Sequence, residues 1–335
     1  DNNATSSVTA IGVNQLTLAD ASGLVVGDEI ILQETNLTSQ LFTITAISGN
    51  VLTLSANITS SFTTAAVVTA VNVRAATLRM VADANGDQAG TIGTADNLNA
   101  TPDINRFAID TVVETLAARS ADGIYVQEFD SVTIDATGDL SVTEVNFNST
   151  TTVRTDASLS DLETTEAGAI KLVSLRGQIT VNDGDADGLG ITAASSGDVL
   201  LRAYQDIVIN SDVLSGTGHI TLRANDDIDQ NADLQTSGAG TVYLTATNDT
   251  NDALSGVDMQ SGTFIQTAGG NVRIVAGTEG DILLARVDAA TGAVSLVADG
   301  SILDNNATSS VTAIGVNQLT LADASGLVVG DEIIL

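Results

Sequence analysis

The sequence has no cysteine and no tryptophan, a single proline, a single histidine and only 11 basic residues against 42 acidic ones. The lack of cysteine excludes disulfide bonds, thiol catalysis and cysteine-zinc sites. A formal charge of -31 makes the surface repel nucleic-acid phosphates and anionic membranes. No apolar run reaches the roughly 20 residues that a membrane-spanning helix needs. We therefore expect no nucleic-acid partner and no membrane insertion.

The chain nevertheless has enough apolar residues to bury a core. Hydrophobic residues make up 43% of it, but aromatic residues make up only 3%. Alanine, valine, isoleucine and leucine must therefore supply nearly all of the core. This composition argues against a disordered chain.

A long internal repeat sets the domain organisation. Residues 1–32 and 304–335 are identical, and the two segments are 303 residues apart. A match of this length cannot arise by chance, so the sequence predicts one period of a tandem array followed by the start of the next copy. The predicted partners of each copy are its neighbours in the same chain.

A shorter repeat lies inside this period. The pattern Gly-x-(Val/Ile)-x-(Leu/Ile)-x-(Ala/Ser) begins at Gly168, Gly197, Gly218, Gly240, Gly270 and Gly292. Each copy alternates apolar and polar positions, which is typical of a β-strand, and a spacing near 22 residues is typical of a β-solenoid. An antiparallel β-sandwich also has alternating strands and is the alternative, although a sandwich does not repeat one strand motif on every coil.

Stacked coils would place equivalent residues above one another. The first predicted inward column is Val199, Ile220, Val242, Val272 and Val294. The second is Leu201, Leu222, Leu244, Ile274 and Leu296. Small residues follow where the chain turns, at Ala203, Ala224, Ala246, Ala276 and Ala298.

Residues 8–73 break this rhythm and carry hairpin signals, of which Ser48-Gly49-Asn50 is the clearest. The predicted fold is therefore all-β, a right-handed parallel β-helix with a small inserted antiparallel β-barrel. The predicted units are the end of a preceding coil (1–7), the barrel (8–73), a β-helix of about ten coils (74–303) and the start of the next copy (304–335).

These segments carry a family resemblance. The runs RAATLRMVADANGDQAGTIGTADNL and VVETLAARSADGIYVQEFDSVTI, together with the repeated coils, resemble the filamentous-haemagglutinin-like repeats of giant bacterial surface proteins. The segment ASGLVVGDEIIL…FTITAISGNVLTLSANI resembles a small barrel module inserted in many long extracellular repeat proteins. The resemblance implies secretion, exposure at the cell surface and a structural or adhesive role, and it brings no catalytic residues.

One acidic loop has the pattern of a calcium site. Asp183, Asp185 and Asp187 occupy positions 1, 3 and 5 of such a loop and Gly188 occupies position 6, but Ala194 stands where the bidentate acid belongs. The site would need an acid from another coil, or water, to be complete. The alternative is that Asp and Asn simply favour turns.

Three further acidic runs are weaker calcium candidates. Asp83, Asn85 and Asp87 form the better of them. The runs at 225–229 and 248–252 match the pattern less well. Calcium is the one cofactor that the sequence suggests.

Catalytic signals are few. His219 is the only histidine, so no Ser-His-Asp triad can be built, and it is expected to face outward or to lie at the start of a coil. Bases and aromatic residues that grip sugars are scarce. We predict that the protein is not an enzyme. The alternative function is a carbohydrate-active β-helix enzyme resembling polysaccharide lyases or hydrolases.

The residue after each inward Leu or Ile should point outward. This outward column contains Val275 and Val297, and we expect Val81 of the next copy to extend it. A stacked valine stripe is expected to be covered, either by the barrel or by a neighbouring chain in a lateral fibre. Val81, Val275 and Val297 are therefore candidate interface residues.

Together these observations predict a structural role. We expect a repeat unit of a very long extracellular filament or adhesin at the cell surface. Its acidic, stiff and protease-resistant fibre would serve attachment or contact between cells and matrix.

Overall fold

The structure is a computed structural model that describes residues 6–35, 38–96, 104–248, 256–306, 311–314 and 318–321. Every regular element in this part of the chain is a β-strand. None of the described residues forms a helix with the length and apolarity that crossing a bilayer demands. The strands form a closed antiparallel barrel, a large parallel β-helix and two separate hairpins.

The barrel has six strands in the order β1-β2-β5-β4-β3-β6, and β1 pairs with β6 to close it. Its interior is filled by aliphatic side chains such as Leu16, Ile30 and Leu52, all fully buried. The strands are β1 (Ser6–Ile11), β2 (Gln15–Leu18), β3 (Glu29–Gln33), β4 (Gln40–Ser48), β5 (Val51–Leu54) and β6 (Val67–Ala70). The barrel begins earlier than predicted, because Ser6 and Ser7 pair with β6 instead of ending a coil.

The β-helix has three faces, each a parallel sheet. The first face contains β8 (Thr91–Ile92), β10 (Gly123–Glu128), β15 (Ala169–Ser174), β18 (Val199–Ala203), β21 (Ile220–Ala224), β24 (Val242–Asn248), β27 (Val272–Thr278) and β30 (Val294–Ala298). The second contains β11 (Val132–Ile134), β16 (Ile179–Val181), β19 (Ile207–Ile209), β22 (Ile228–Gln230), β25 (Val257–Met259), β28 (Ile282–Leu284) and β31 (Ile302–Asp304). The third contains β14 (Leu162–Thr164), β17 (Leu189–Ala193), β20 (Asp212–Ser215), β23 (Leu234–Thr236), β26 (Phe264–Thr267) and β29 (Arg286–Asp288).

Two long strands at the start of the β-helix run across several faces. They are β7 (Val73–Val81) and β9 (Ile109–Ser120). Strand β9 pairs in turn with β10, β11 and β14, and β7 lies along β9 as its outer neighbour. The first coils are therefore built from continuous chain, whereas later coils are divided into three short strands.

The described coils number seven complete turns, with a partial turn at each end. The prediction of about ten coils is thus too high. The difference arises because residues in insertions at the corners add no coils. These insertions are chiefly the described residues between β8 and β9, those between β11 and β14, and the acidic loop 182–188.

The strand registers confirm the predicted columns. Val199, Ile220 and Val242 are direct neighbours on successive strands, and the leucine and alanine columns follow in the same register. The columns continue through β27 to β30. Their members are buried up to the last coil, where Val294 is exposed. Because every pairing within the β-helix is parallel, the sandwich alternative is wrong.

The glycine that opens each repeat is explained by the stacking of the coils. A Cβ atom added to Gly218, Gly240 or Gly270 would lie well under 3.0 Å from the carbonyl oxygen of the glycine one coil earlier. The backbones touch at this corner, so no side chain fits between them. The glycine therefore recurs about every 22 residues because each coil contacts the backbone of the preceding coil at this position.

A hairpin projects from the second coil between its second and third faces. It consists of β12 (Leu140–Val145) and β13 (Thr151–Asp156), and every residue in both strands is exposed. An ion pair of 2.6 Å between Arg154 Nε and Glu144 Oε2 joins its strands. Phe147 lies at its tip with the whole ring exposed.

We expect that replacing residues 140–156 with a short Gly-Ser linker leaves the melting temperature within about 2 °C of the original, because the hairpin buries no core surface. Thermal unfolding followed by circular dichroism measures this. Leu162→Ala in the adjacent, fully buried β14 is the control that should lower the melting temperature. A fall of more than about 5 °C for the deletion would show that the hairpin packs against the coils.

The second copy repeats the start of the first in structure as well as in sequence. Strands β32 (Val311–Ile314) and β33 (Leu319–Leu321) pair antiparallel. Val311 lies opposite Leu321 just as Val8 lies opposite Leu18, and both pairs are followed by the same irregularity. The chain therefore begins a second barrel hairpin directly after the last described coil.

Candidate functional site

The predicted calcium loop lies at the corner between β16 and β17, but Asp183 does not point to a shared site. Its Oδ1 accepts a hydrogen bond from the Ala186 N–H (2.6 Å), and its Oδ2 accepts one from the Gly188 N–H (2.9 Å). These bonds hold Ala186 in a left-handed conformation, with φ of 68°. Asp183 is therefore engaged within its own turn, and its role as the first calcium ligand stays a prediction.

The other two acids of the loop meet an acid from the preceding coil. Carboxylate oxygens of Asp161, Asp185 and Asp187 lie within 4.8 Å of one another. Asp161 lies just before β14, after the projecting hairpin, so its distance along the chain hid it from the sequence pattern. Asp161 belongs to another coil, as the sequence motif would require of its missing acid, and we call these three residues the acidic cluster.

Burial and like charges act together on Asp161. Its Oδ2 accepts a hydrogen bond from Ser160 Oγ (2.8 Å), whereas its buried Oδ1 accepts none from the described residues. Burial is the main cause that raises the pKa of Asp161, and the charges of Asp185, Asp187 and Asp183 add to it, so that this pKa is raised to about 6. Such a group binds either a proton or a cation.

The donor set of the acidic cluster suits a hard cation. Calcium takes six to eight oxygen ligands, including carboxylates and water. Asp161, Asp185 and Asp187 would supply three of these ligands, and two of them are exposed, so water can reach the remaining positions. The residues present therefore fit a calcium ion shared between two coils.

The second candidate loop uses its polar side chains within its own turn. Asp83 Oδ1 accepts a hydrogen bond from the Asp87 N–H (2.8 Å), and Asn85 Nδ2 donates one to Asp87 Oδ2 (2.8 Å). The bond from Asn85 is the main reason that the pKa of Asp87 is lowered. These contacts correspond to the turn-forming alternative. Calcium at Asp83, Asn85 and Asp87 stays a prediction.

The run at 225–229 takes part in a hydrogen-bonding pattern that recurs at the corners of the β-helix. Asp227 is almost fully buried, and its Oδ1 accepts a hydrogen bond from the Gly256 N–H one coil later (2.9 Å). Asp198, Asp212 and Asp233 each accept a backbone N–H of the following coil in the same way, at 2.9 Å. Part of the acidic composition therefore satisfies backbone donors at the corners.

A second group of three acids arises from this stacking. Asp206, Asp226 and Asp227 have carboxylate oxygens within 4.8 Å of one another. Asp206 Oδ1 lies 3.3 Å from the Asp227 nitrogen, which donates to it. The candidate at 248–252 lies outside the described residues, apart from Asn248.

The valine stripe differs from its prediction in one member. Val275 and Val297 are neighbours in the outward column of the first face, which also holds Val173, Arg202, Arg223 and Thr245. Val81 pairs with Arg119, whose other neighbour is Glu163 on the third face. Because β7 bends around the corners, Val81 is not part of the stripe. An interface at Val275 and Val297 stays a prediction.

The barrel is docked on the β-helix by a small apolar core. Ile31 of the barrel is buried with Val112 and Phe129 of the coils, and Leu41, Val71 and Leu175 pack around them. Arg74 forms an ion pair with Glu29 across the same boundary. Barrel and coils are therefore joined by side chains as well as by the connecting backbone.

Sequence reasoning missed a buried polar group beneath this junction. Glu128 is fully buried at a column position that other coils fill with Ser174 or Ala203. Its Oε2 accepts hydrogen bonds from Thr111 Oγ1 (2.5 Å) and the Val113 N–H (3.1 Å), and burial raises its pKa. The alternating pattern of the strand gave no signal, because this acid takes the place of an alanine.

A groove of about 390 Å³ lies between residues 33–35 and 38–39 of the barrel and the first face. We call it the junction groove. Arg202, Tyr204 and Arg223 line it on the side of the coils, and Thr38 lines it on the side of the barrel. The two arginines share one outward column, but the sequence could not place the barrel beside them.

His219 is exposed, as predicted. Its Nδ1 accepts a hydrogen bond from the Thr241 N–H one coil later (3.0 Å). The imidazole therefore accepts a backbone N–H group of the following coil, as the aspartates at the corners do.

The fold defines an all-β protein with a parallel β-helix and an inserted six-stranded barrel. No protein-family model and no curated protein matches the sequence. Among solved structures it is similar to the Gp54 tailspike of Acinetobacter baumannii bacteriophage AP22, in complex with A. baumannii capsular saccharide, at 12% identity and a TM-score of 0.23 over 89% of this chain and 57% of that chain. It is also similar to the tailspike protein gp49 from Pseudomonas phage LKA1, at 11% identity and a TM-score of 0.23 over 92% of this chain and 64% of that chain. This chain therefore spans less than two thirds of either tailspike.

Proposed function

We propose that the protein is a structural repeat of a very long extracellular filament or adhesin at the cell surface. The observation that carries this proposal is the match between the two open ends of the β-helix, together with the exact repeat 303 residues later. The resemblance of the coils and of the barrel to repeats of giant surface proteins supports the same function.

The last coil presents an uncovered apolar edge. Within the described part of the chain, β30 and β31 pair with the preceding coil on one side only. Val294, Val297, Ile302 and Leu303 at this edge are between 45% and 48% exposed. Unpaired edge strands with exposed aliphatic residues tend to join another strand.

The first coil presents the complementary edge. Among the described residues, β7 pairs only with β9, so its other side is open there. Following the paired registers from strand to strand, Val73 occupies the column that ends at Ala298. In a tandem array, the counterpart of β7 in the next copy would therefore continue the columns from Ala298 at the end of β30 onward and through β31. The next barrel would occupy the third face of the last coil.

We expect an axial repeat of about 43 Å, because nine strands stack on the second face in each period at about 4.8 Å per strand. Electron microscopy of a protein containing several periods measures this spacing, with one barrel as a knob in each repeat. The value is slightly below the 45–50 Å that ten coils would give at about 4.8 Å each.

The matched variant carries Ile302→Asp and Leu303→Asp in every period, which places charge on the joining edge. It should lose the regular spacing while each β-helix keeps its own melting transition. Repeats longer than about 80 Å in the original protein would instead mean separate domains on linkers, and would overturn continuous stacking.

A further inference from the structure

We propose that the projecting hairpin pairs with the same hairpin of a second copy of this chain, edge to edge along β13. The pairing would join two filaments side by side, so the inference rests on the proposed function and names the partner of the fibre. Its evidence is the open edge of β13, the exposed valines beside that edge and the lack of charge at the hairpin tip.

Strand β13 has an open edge. Among the described residues it pairs only with β12. The Asn146 N–H donates a hydrogen bond to the Thr150 carbonyl (2.8 Å), and the alternation of an antiparallel ladder follows from this bond. Thr151, Val153 and Thr155 therefore direct their N–H and C=O groups away from β12. Such a row of free backbone groups is a template for another strand.

One face of the hairpin consists only of uncharged side chains, most of them β-branched. A two-stranded hairpin by itself is marginally stable in water, and three or more strands with an apolar face are needed for independent stability. Val145 and Val153 on this face are 75% and 65% exposed. A wider sheet would therefore stabilise the hairpin. The cross-strand pairs of this face contain Ser141, Thr143, Val145, Thr151, Val153 and Thr155.

The edge of β13 is complementary to itself. An antiparallel pairing about a two-fold axis at Val153 would place Val153 opposite its equivalent, and Thr151 opposite Thr155 of the other copy. Pairs of β-branched and threonine side chains across strands are favourable. On the other face, Arg154 would lie opposite Thr152, so no like charges would meet. An axis at Arg154 would instead place two arginines opposite each other.

The charge pattern favours a second copy of this chain as the partner. Residues 145–153 have no charged side chain, although the whole chain has a formal charge of -31. Two acidic copies would therefore repel each other least at the hairpin tips. Hairpins of successive periods in one filament could not meet, because they would be about 43 Å apart and six residues of strand span only about 20 Å. The partner hairpin must then belong to another chain.

A single contact of this kind is small. Two short paired strands bury well under the roughly 1,200 Å² of a stable interface, so one 335-residue chain should stay mainly monomeric. In a tandem array the contact would recur in every period, and linked contacts strengthen one another. We therefore expect chains of several periods to bundle laterally, and replacement of residues 140–156 by a Gly-Ser linker to separate the bundles in electron micrographs.

Single cysteines in the 335-residue chain test the pairing, because the sequence has no cysteine of its own. Paired Cα atoms about 5.5 Å apart are within the range of a disulfide. With oxidised glutathione at high protein concentration, Val153→Cys should form disulfide dimers on the order of tenfold faster than Val142→Cys, whose thiols would meet only by random collision. Val142 is the matched control, because it is 66% exposed and lies on β12. Thr151→Cys and Thr155→Cys should cross-link to each other but not to themselves, since like residues would be about 14 Å apart.

Melting temperatures of the reduced variants within about 2 °C of the original show that they are folded. Equal dimerisation of Val153→Cys and Val142→Cys would overturn the proposal, and so would a Val153→Cys protein that stays monomeric. Bundles that persist without residues 140–156 would assign the lateral contact to another surface, such as Val275 and Val297. The cross-links form between single chains, so their failure would leave the axial repeat of an array unchanged, and a wrong axial repeat would leave the cross-links unchanged.

Discussion

Replacing Gly270 with alanine should cost the β-helix on the order of 3 kcal/mol or more of unfolding free energy. The added Cβ would overlap the carbonyl carbon and oxygen of Gly240, which are backbone atoms that cannot rotate away. The next coil is equally close, because a Cβ on Gly292 would meet the Gly270 carbonyl. The coils would have to separate at this corner, and the parallel pairing around β27 would weaken. Denaturant unfolding followed by circular dichroism measures the loss.

Gly12→Ala is the control for this substitution. A Cβ on Gly12 would come no nearer than 3.5 Å to its neighbours, which are atoms of Gln15, and such distances are ordinary contacts. Its effect should stay within about 0.5 kcal/mol. If Gly270→Ala were equally mild, the backbone contact between coils could not be the reason that glycine recurs at this position.

Asp161→Asn should raise the melting temperature by several degrees at pH 7.5 in chelator, and should remove stabilisation by calcium. The pKa of Asp161 is raised to about 6, so the folded state binds a proton more tightly than the unfolded state. Its contribution to stability is therefore present at low pH and is lost as pH rises through about 6. At pH 7.5 the buried charge opposes folding, and asparagine removes that charge.

Calcium stabilises the original protein by mass action if it binds the acidic cluster. Differential scanning calorimetry with calcium and with chelator, at pH 5 and pH 7.5, measures both effects. In chelator, Asp161 should make the original protein more stable at pH 5 than at pH 7.5. Protonation of Asp161 at pH 5 replaces the missing cation.

Asp183→Asn separates the cluster from its loop. Asp183 receives two backbone N–H groups, and asparagine has one carbonyl oxygen to accept them, so the variant should melt lower with or without calcium. Its calcium response should nevertheless persist. If calcium does not change the melting temperature of the original protein, there is no ordered calcium site. If Asp183→Asn loses the rise in melting temperature with calcium while Asp161→Asn keeps it, the ligands are those predicted from the sequence.

The parallel columns could be predicted because one motif recurs with its apolar positions unchanged. Leu201, Leu222 and Leu244 stand in equivalent places, so stacking follows once the period is recognised. The number of coils could not be predicted equally well. Insertions at corners have no apolar alternation, and nothing in the sequence marks the whole of 135–161 as lying outside the coil.

The acidic cluster shows why local motifs identify sites only in part. Asp183, Asp185 and Asp187 have the spacing of ligands, but the turn itself takes Asp183. Asp161, and not Asp183, lies beside Asp185 and Asp187, because β14 and β17 are neighbours on the third face. The junction groove lies further beyond sequence reasoning, since it depends on where Ile31 docks against Val112 and Phe129.

The orientation of the coils also determines how such a fibre would respond to tension. Hydrogen bonds between successive strands of a parallel β-helix point along its axis, so a pull along the axis opens them in succession instead of shearing many at once. A period of 303 residues measures on the order of 1000 Å when extended, against about 43 Å when coiled. Each period lost from one end would therefore lengthen the tether more than twentyfold, while the coils beyond it stay intact.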